Sequence, residues 1–296
     1  MQHVVVKRIV ATVSIVVGLL LMWQPTSDWS RQGAALLAGH AHERTVLTVA
    51  FLDVGQGDAV YIETPEGVQL LIDGGPDSSV LRELPKVMPF WDRSLDVVLA
   101  THPDKDHIGG LVDVLTRYDV DTIIQTENES DTAVSSAFVL MSAEEEATVH
   151  IARAGEVIEL GASTTLAVLS PASDTRDWES NAASIVIKLS YGEVDFMLTG
   201  DAGNGIEEYL VSECGTLLQS EVLKLGHHGS KTSTSESFLE AVAPEYAVVS
   251  AGKDNRYGHP NIEVVERVRN YGSQIVNTAE IGTIIFKSDG ERVWLE

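Results

Sequence analysis

Cysteine is almost missing from this chain of 296 residues, Cys214 being the only one. A single thiol excludes an intrachain disulfide and any cysteine-built zinc site. Positive charge is scarce as well. The chain has 20 Lys and Arg against 44 Asp and Glu, giving a net charge of −24 and a pI near 4.6. Outside Lys7-Arg8 there is no basic run, which argues against tight non-specific binding to duplex nucleic acid, since an acidic surface repels phosphate. No internal repeat is evident. Only one long apolar run occurs, the fifteen residues Ile9 to Trp23 directly after Lys7-Arg8. It falls short of the ~20 residues of a relaxed membrane span and sits at the upper edge of the roughly 7–15 residues of a signal-peptide core. The flanking positive charge favours an N-terminus inside and the bulk of the chain outside the cytoplasm. An uncleaved membrane anchor over residues 1–23 is the preferred expectation. A cleaved signal, leaving a secreted protein, is the alternative.

The rest of the chain has ample apolar material for a buried core, at 44% hydrophobic residues. Residues 24–44 read as a linker, and 45–296 as the folded domain. Short apolar runs predict strands at 46–54, 59–63, 68–72, 95–100 and 122–125, with Gly55-Gln56-Gly57 and Pro65-Glu66-Gly67 as breaks. Further strands are expected at 164–169, 184–190, 194–199, 221–225, 245–250, 274–277, 281–286 and 291–295. Helices are expected at 108–118, 205–212, 235–242 and 261–271, with a loop and one helix in 127–147. Hairpin-linked strands followed by alternation with helices suggest two mixed sheets sandwiched between helices.

The stretch that carries chemistry is Thr101-His102-Pro103-Asp104-Lys105-Asp106-His107-Ile108-Gly109-Gly110. It follows a buried strand and delivers two imidazoles and two carboxylates into one loop, with Gly109 and Gly110 read as the turn into the next helix. Donors this close repel one another unless a cation joins them, so a divalent metal is the expected occupant, with Lys105 offsetting some repulsion. Four other strand ends present polar groups: Asp73 before Gly74-Gly75, Asp201 after Gly200, the pair His227-His228 in Gly226-His227-His228-Gly229-Ser230-Lys231, and His259 in Asn255-Arg256-Tyr257-Gly258-His259-Pro260.

With Phe51-Leu52-Asp53-Val54-Gly55-Gln56-Gly57-Asp58-Ala59, these motifs resemble those of metallo-β-lactamase-fold hydrolases. The similarity is closer to the C-terminal hydrolase domain of ComEC-type DNA-uptake proteins. The resemblance spans roughly residues 45–296 and implies an α/β fold, an αββα sandwich with two divalent metals at the sheet edges. On this chain it implies His102 and Asp104 at the first metal and Asp106 and His107 at the second, with Asp201 bridging. His227 is the matched final ligand and His228 its competitor. Asp73, Asp58 and Asn181 would hold the ligands by hydrogen bonds rather than bind metal. Two positions depart from the wider family, which has histidine where this chain has Asp104 and again near Asn181. An oxygen-rich first site shifts preference towards manganese or magnesium, with zinc the alternative.

The implied reaction is phosphodiester hydrolysis by a two-metal mechanism. Asp106, His228 and His259 are the catalytic candidates, either histidine passing a proton to the leaving group. Ser230 and Lys231 are expected to grip a phosphate near a helix N-terminus. The leading reading is a nuclease on single-stranded or nicked DNA outside the cytoplasm, held to the membrane by residues 9–23. With at most one span it is expected to stand alone or to work beside a separate DNA-uptake channel. A hydrolase of a small phosphodiester, ester or lactone is the second reading, which the acidic charge supports. A non-catalytic envelope domain binding metal or a partner is the third. Oligomeric state is not legible. For the anchor, N-terminal sequencing of the mature protein from a membrane fraction should find the first residues intact. A new N-terminus near His42 would refute it.

Overall fold

A computed structural model describes residues 46–296 and the two-residue strand β1 (Ile15–Val16). The expected anchor and linker otherwise lie outside the described residues. No helix among those described is long and apolar enough to cross a membrane.

Two eight-stranded mixed sheets stack face to face. The first begins with an antiparallel meander, β2 (Leu47–Phe51), β3 (Val60–Glu63) and β4 (Gln69–Ile72). Helix α1 (Val80–Val87) then crosses to β5 (Ser94–Leu99), α2 (Lys105–Leu115) to β6 (Asp119–Gln125), and α3 (Ala133–Glu144) to β7 (Thr148–Ile151). From β4 to β7 the pairing is parallel, as helical crossovers require. The second sheet opens with β8 (Val157–Glu159), β9 (Thr164–Ser170), β10 (Val186–Tyr191) and β11 (Val194–Leu198), all antiparallel, with β1 pairing to β8 at the edge. It continues in parallel through α4 (Asn204–Cys214), β12 (Val222–Lys224), α5 (Glu236–Val242), β13 (Tyr246–Val249), α6 (Ile262–Tyr271) and β14 (Gln274–Asn277). A short helix α7 (Thr278–Ile281) returns the chain to β15 (Ile284–Ser288) and β16 (Val293–Leu295) on the far edge of the first sheet.

The expected αββα sandwich is therefore the observed architecture. Three apolar layers hold it. The middle one lies between the sheets, where Phe286 meets Phe51, Phe196 and Tyr246 edge-on. The outer two seal α1–α3 and α4–α6 onto the opposite faces. The expected elements recur within a few residues, with four differences. Helix α1 and strands β7 and β8 were not expected, because Pro85 interrupts the one and the others are only three to four residues long. The strand expected from residue 281 starts at Ile284, after α7.

The fourth difference bears on the site. Helix α2 begins at Lys105, three residues earlier than expected, so Asp106 and His107 sit in its first turn. Gly109 and Gly110 thus lie inside a helix rather than making a turn. Their purpose is close approach. A Cβ on Gly109 would stand 2.3 Å from the Pro76 carbonyl oxygen, and one on Gly110 2.0 Å from that of Gly74. The Gly110 amide donates to the Gly75 carbonyl at 2.9 Å. This contact presses α2 against the loop that carries Asp73. Gly110→Ala should therefore destabilise by about 1–3 kcal/mol, as overpacking does, whereas Gly205→Ala, in open space on α4, should be neutral or stabilising by up to about 1 kcal/mol. Thermal denaturation compares them, and equal melting temperatures would contradict the close packing.

Candidate metal centre

All the parallel strands end at one rim, and the polar loops follow them there. This is where parallel sheets place ligands, outside the carboxyl ends of the strands. Asp73 leaves β4, His102 leaves β5, Asp201 leaves β11, and His227 and His228 leave β12. The two halves are tied together there by the Ile185 amide donating to the Thr101 carbonyl at 3.0 Å. Asp73, His227 and His228 all adopt left-handed backbone, with φ of 56°, 47° and 56°. Non-glycine residues pay ~1–3 kcal/mol for such geometry, so packing must hold these three in place.

Three buried histidines share one arrangement. The Thr101 hydroxyl donates to Asp73 Oδ2 at 2.7 Å, so it must accept from His102 Nδ1, 3.0 Å away. His107 donates from Nδ1 to Asp73 Oδ2 at 2.8 Å. His228 donates from Nδ1 to the Ser250 carbonyl at 3.0 Å. Each Nδ1 proton is thereby placed and each Nε2 lone pair turned inward, as outer partners do for metal-binding imidazoles. His107 Nε2 faces Asp201 Oδ1 at 3.3 Å, and His228 Nε2 faces Asp106 Oδ2 at 3.3 Å and Asp201 Oδ2 at 3.6 Å. His102 Nε2, His107 Nε2 and Asp201 Oδ1 are buried without a well-formed hydrogen bond. Buried polar atoms normally find partners. These three converge on one another, within the span a cation bridges.

The sequence-derived residues fall around this point as follows. The donor groups His102–His107–Asp201 and Asp106–His107–His228 could each hold a divalent ion, but His107 has one free nitrogen and can serve only one of them at a time. Asp104 is less committed: its side chain is 40% exposed, 3.8 Å from His102 Nε2, and accepts from Ser180 Oγ at 2.7 Å. Asn181 leaves a buried Oδ1 without a partner. His227 stands 3.7 Å from Asp201 Oδ2 with a quarter of its side chain exposed, while His228 is fully buried. Of the pair, His228 has the ligand-like setting. His259 packs beside both, at ring centroid distances of 5.5 and 6.3 Å. Ser230 and Lys231 do not lie at a helix N-terminus. They occupy a turn, with Ser230 Oγ 3.0 Å from Thr232 Oγ1 and Lys231 exposed. Helix α5 starts later and is capped by Ser235 itself.

Lys224 was not anticipated. Its side chain is 2% exposed, ion-paired with Asp58, and donates to the Gly200 carbonyl at 3.1 Å. The available signal was a lone charge closing the apolar strand Val222-Leu223-Lys224. The ammonium sits against Asp58 Oδ2 and 3.9 Å from Asp201 Oδ1, while Asp58 Oδ1 stays buried without a hydrogen bond and could join Asp201 and His228, or Asp73 and His107, around a cation. Thr101, Ser180 and Ser184 were missed as well, having no motif to mark them. The Asp201 amide donates to Ser184 Oγ at 3.1 Å.

The charges respond to this crowding. Burial, aided by His107, pushes His102 down to about 4. Burial also opposes charge on His107, yet Asp201 and Asp73 hold its pKa well above the ordinary value. Against the same opposition, Asp201 and Asp58 push His228 up to about 9. For Asp201 burial acts upward, but His228 and His107 outweigh it and keep the carboxyl well below its usual range.

The chain belongs to the metallo-beta-lactamase superfamily, whose family model matches residues 52–253. Its fold is that of metal-dependent hydrolases, often carrying two divalent ions. Among curated proteins it is 28% identical over 81% of its length to ComE operon protein 3 of Bacillus subtilis, and 32% identical over 80% to competence protein ComA of Neisseria gonorrhoeae. The resemblance to ComEC-type proteins thus holds. The chain spans about a third of these relatives, 33% and 32% of their lengths. Among solved structures, Igni18, a metallo hydrolase from Ignicoccus hospitalis, aligns with a TM-score of 0.52 at 17% identity, covering 81% of this chain and 98% of that one.

A pH dependence follows. Below their raised pKa values His107 and His228 carry protons in the metal-free protein, and a cation must expel them. Affinity for manganese should therefore rise from pH 6 to pH 9 and fall as pH drops through that range. Calorimetry in buffers of different ionisation enthalpy should find about one to two protons released at pH 7. Binding without proton release would remove these histidines from the ligand set.

Proposed function

We propose that this protein is a metal-dependent phosphodiesterase acting on DNA, with the site outside the cytoplasm. The observation that carries it is the convergence of His102, His107 and Asp201 through buried donor atoms that no hydrogen bond uses. Similarity to proteins named for competence supports a nucleic-acid substrate.

Two divalent ions, manganese or magnesium with zinc as the alternative, would draw their ligands from His102, Asp106, His107, Asp201 and His228, the one free nitrogen of His107 serving a single ion, with Asp104 close enough to His102 to join. They supply positive charge that polarises a phosphoryl oxygen and acidifies a water for in-line attack. The chain's own groups do the rest. Asp73 fixes the His107 ring, and Thr101 fixes that of His102. Lys224 neutralises Asp58, letting the buried carboxylates coexist. His259 has a pKa lowered by burial and by His227 and His228, so it is neutral near pH 7. Its ring packs against His227 and His228 beside the donor cluster, where it is placed to exchange a proton with substrate. Ser230 and Lys231, in the adjoining turn, remain suited to contact a phosphate. A small phosphodiester or other ester is the second reading, favoured by the net charge of −24.

The metal-stripped protein should cleave single-stranded DNA once manganese or magnesium returns. Asp201→Asn should abolish cleavage and Asp104→Ala should weaken it with little change in the melting profile, and Asp73→Asn should cost about 10–100-fold, as loss of an orienting partner does. Full activity in Asp201→Asn would overturn the assignment. Cleavage of bis-p-nitrophenyl phosphate alone would move the substrate to a small ester.

A further inference from the structure

At the mouth of the metal centre one large aromatic side chain faces solvent. Tyr257 is 57% exposed, and no apolar cluster includes it, so folding gains little from it. Its surroundings are nonetheless ordered. The ring lies nearly parallel to His259, at 12° and 5.9 Å between centroids, and His259 touches His227 and His228 in turn. The Arg256 guanidinium lies over the Tyr257 ring, 5.1 Å from its centroid, and donates to Tyr257 Oη at 3.1 Å. A row of flat groups therefore runs from the buried metal donors out to solvent.

The backbone under this row is pinned by Asn255. Its Oδ1 accepts from the Tyr257 and His259 amides, and its Nδ2 donates to the Gly252 and His259 carbonyls. The Gly252 amide donates to Gln56 Oε1, fastening the loop to the opposite sheet. A rigid exposed ring loses little freedom on taking a partner. Flat, pre-ordered and next to a cation, it suits the face of a nucleobase, with Arg256 adding a cation–π contact. The charge pattern agrees. Arg256 and Lys253 in this loop and Lys231 in the adjoining turn bring three exposed cations to the rim of an acidic molecule. That is too few for binding through phosphates alone, so stacking must supply much of the grip.

We propose that the Tyr257–Arg256 pair, with the guanidinium over the tyrosine ring and His259 stacked against it, is the stacking platform for the base adjoining the scissile phosphodiester, and so selects single-stranded nucleic acid over duplex. In a duplex that face is already covered by the neighbouring base. The inference rests on the phosphodiesterase reading above.

The test compares two labelled strands of equal length, oligo-dT and a strand of abasic tetrahydrofuran residues, which share a backbone and differ only in bases. Fluorescence anisotropy with the full chain and no added metal reads binding, and cleavage is followed separately with manganese. The wild type should bind the base-bearing strand roughly 5- to 100-fold more tightly. Tyr257→Ala should bring that ratio to near one, and Tyr257→Trp should keep it. Equal affinity of the wild type for both strands, including none measurable for either, overturns the platform. So does Tyr257→Ala weakening both strands alike, which is what a merely structural role would produce. Base-dependent binding without cleavage by any metal upholds the platform and removes the nuclease reading. Cleavage without base dependence does the reverse.

Discussion

Four carboxylates, Asp58, Asp73, Asp106 and Asp201, are gathered at one rim, three of them almost wholly buried. Everything else at the rim answers to that repulsion. Taking several like charges out of water costs far more than it returns unless opposite charge is built in beside them. Lys224 provides one permanent cation against Asp58. His107 and His228 provide titratable ones against Asp73, Asp106 and Asp201.

The fold makes that gathering affordable. Backbone contacts too tight for any side chain knit the three loops of the first sheet. A Cβ on Gly57 would reach 2.2 Å from the Asp106 carbonyl oxygen. The Gly74 amide donates to the His107 carbonyl at 2.6 Å, and the Gly75 amide to that of Asp58 at 2.8 Å. From the second sheet come Asp201, Lys224 and the strained pair His227-His228, each at the end of a strand buried on both faces. Because both apolar cores fix those strands, the donor atoms are held before any ligand arrives, which is the condition for binding charge without reorganising.

Much of this was legible in the chain. The run from His102 to His107 and the strand-end Asp73 and Asp201 announce themselves through spacing, and periodicity placed most strands within a few residues. The less legible parts share a cause. Lys224, Thr101, Ser180 and Ser184 act through partners 17 to 166 positions away, or through a neighbour whose role is itself set by such a partner. Their residue types are ordinary for their elements. Gly109-Gly110 looked like a turn because local sequence registers glycine's freedom but not an approaching loop. His227 and His228 differ in burial, to which spacing is blind.

What the sequence by itself determined was the identity and order of the chemical groups, the alternation of apolar strands and helices, and hence the sandwich. These are local or one-dimensional properties, set by side-chain type and period. Only the tertiary structure decided which nitrogen of each histidine faces inward, which carboxylate is held by a lysine, and that Tyr257 stands at the mouth of the site. Each of those depends on hydrogen bonds and contacts between elements remote in the chain. They exist only once two sheets have closed on a common core.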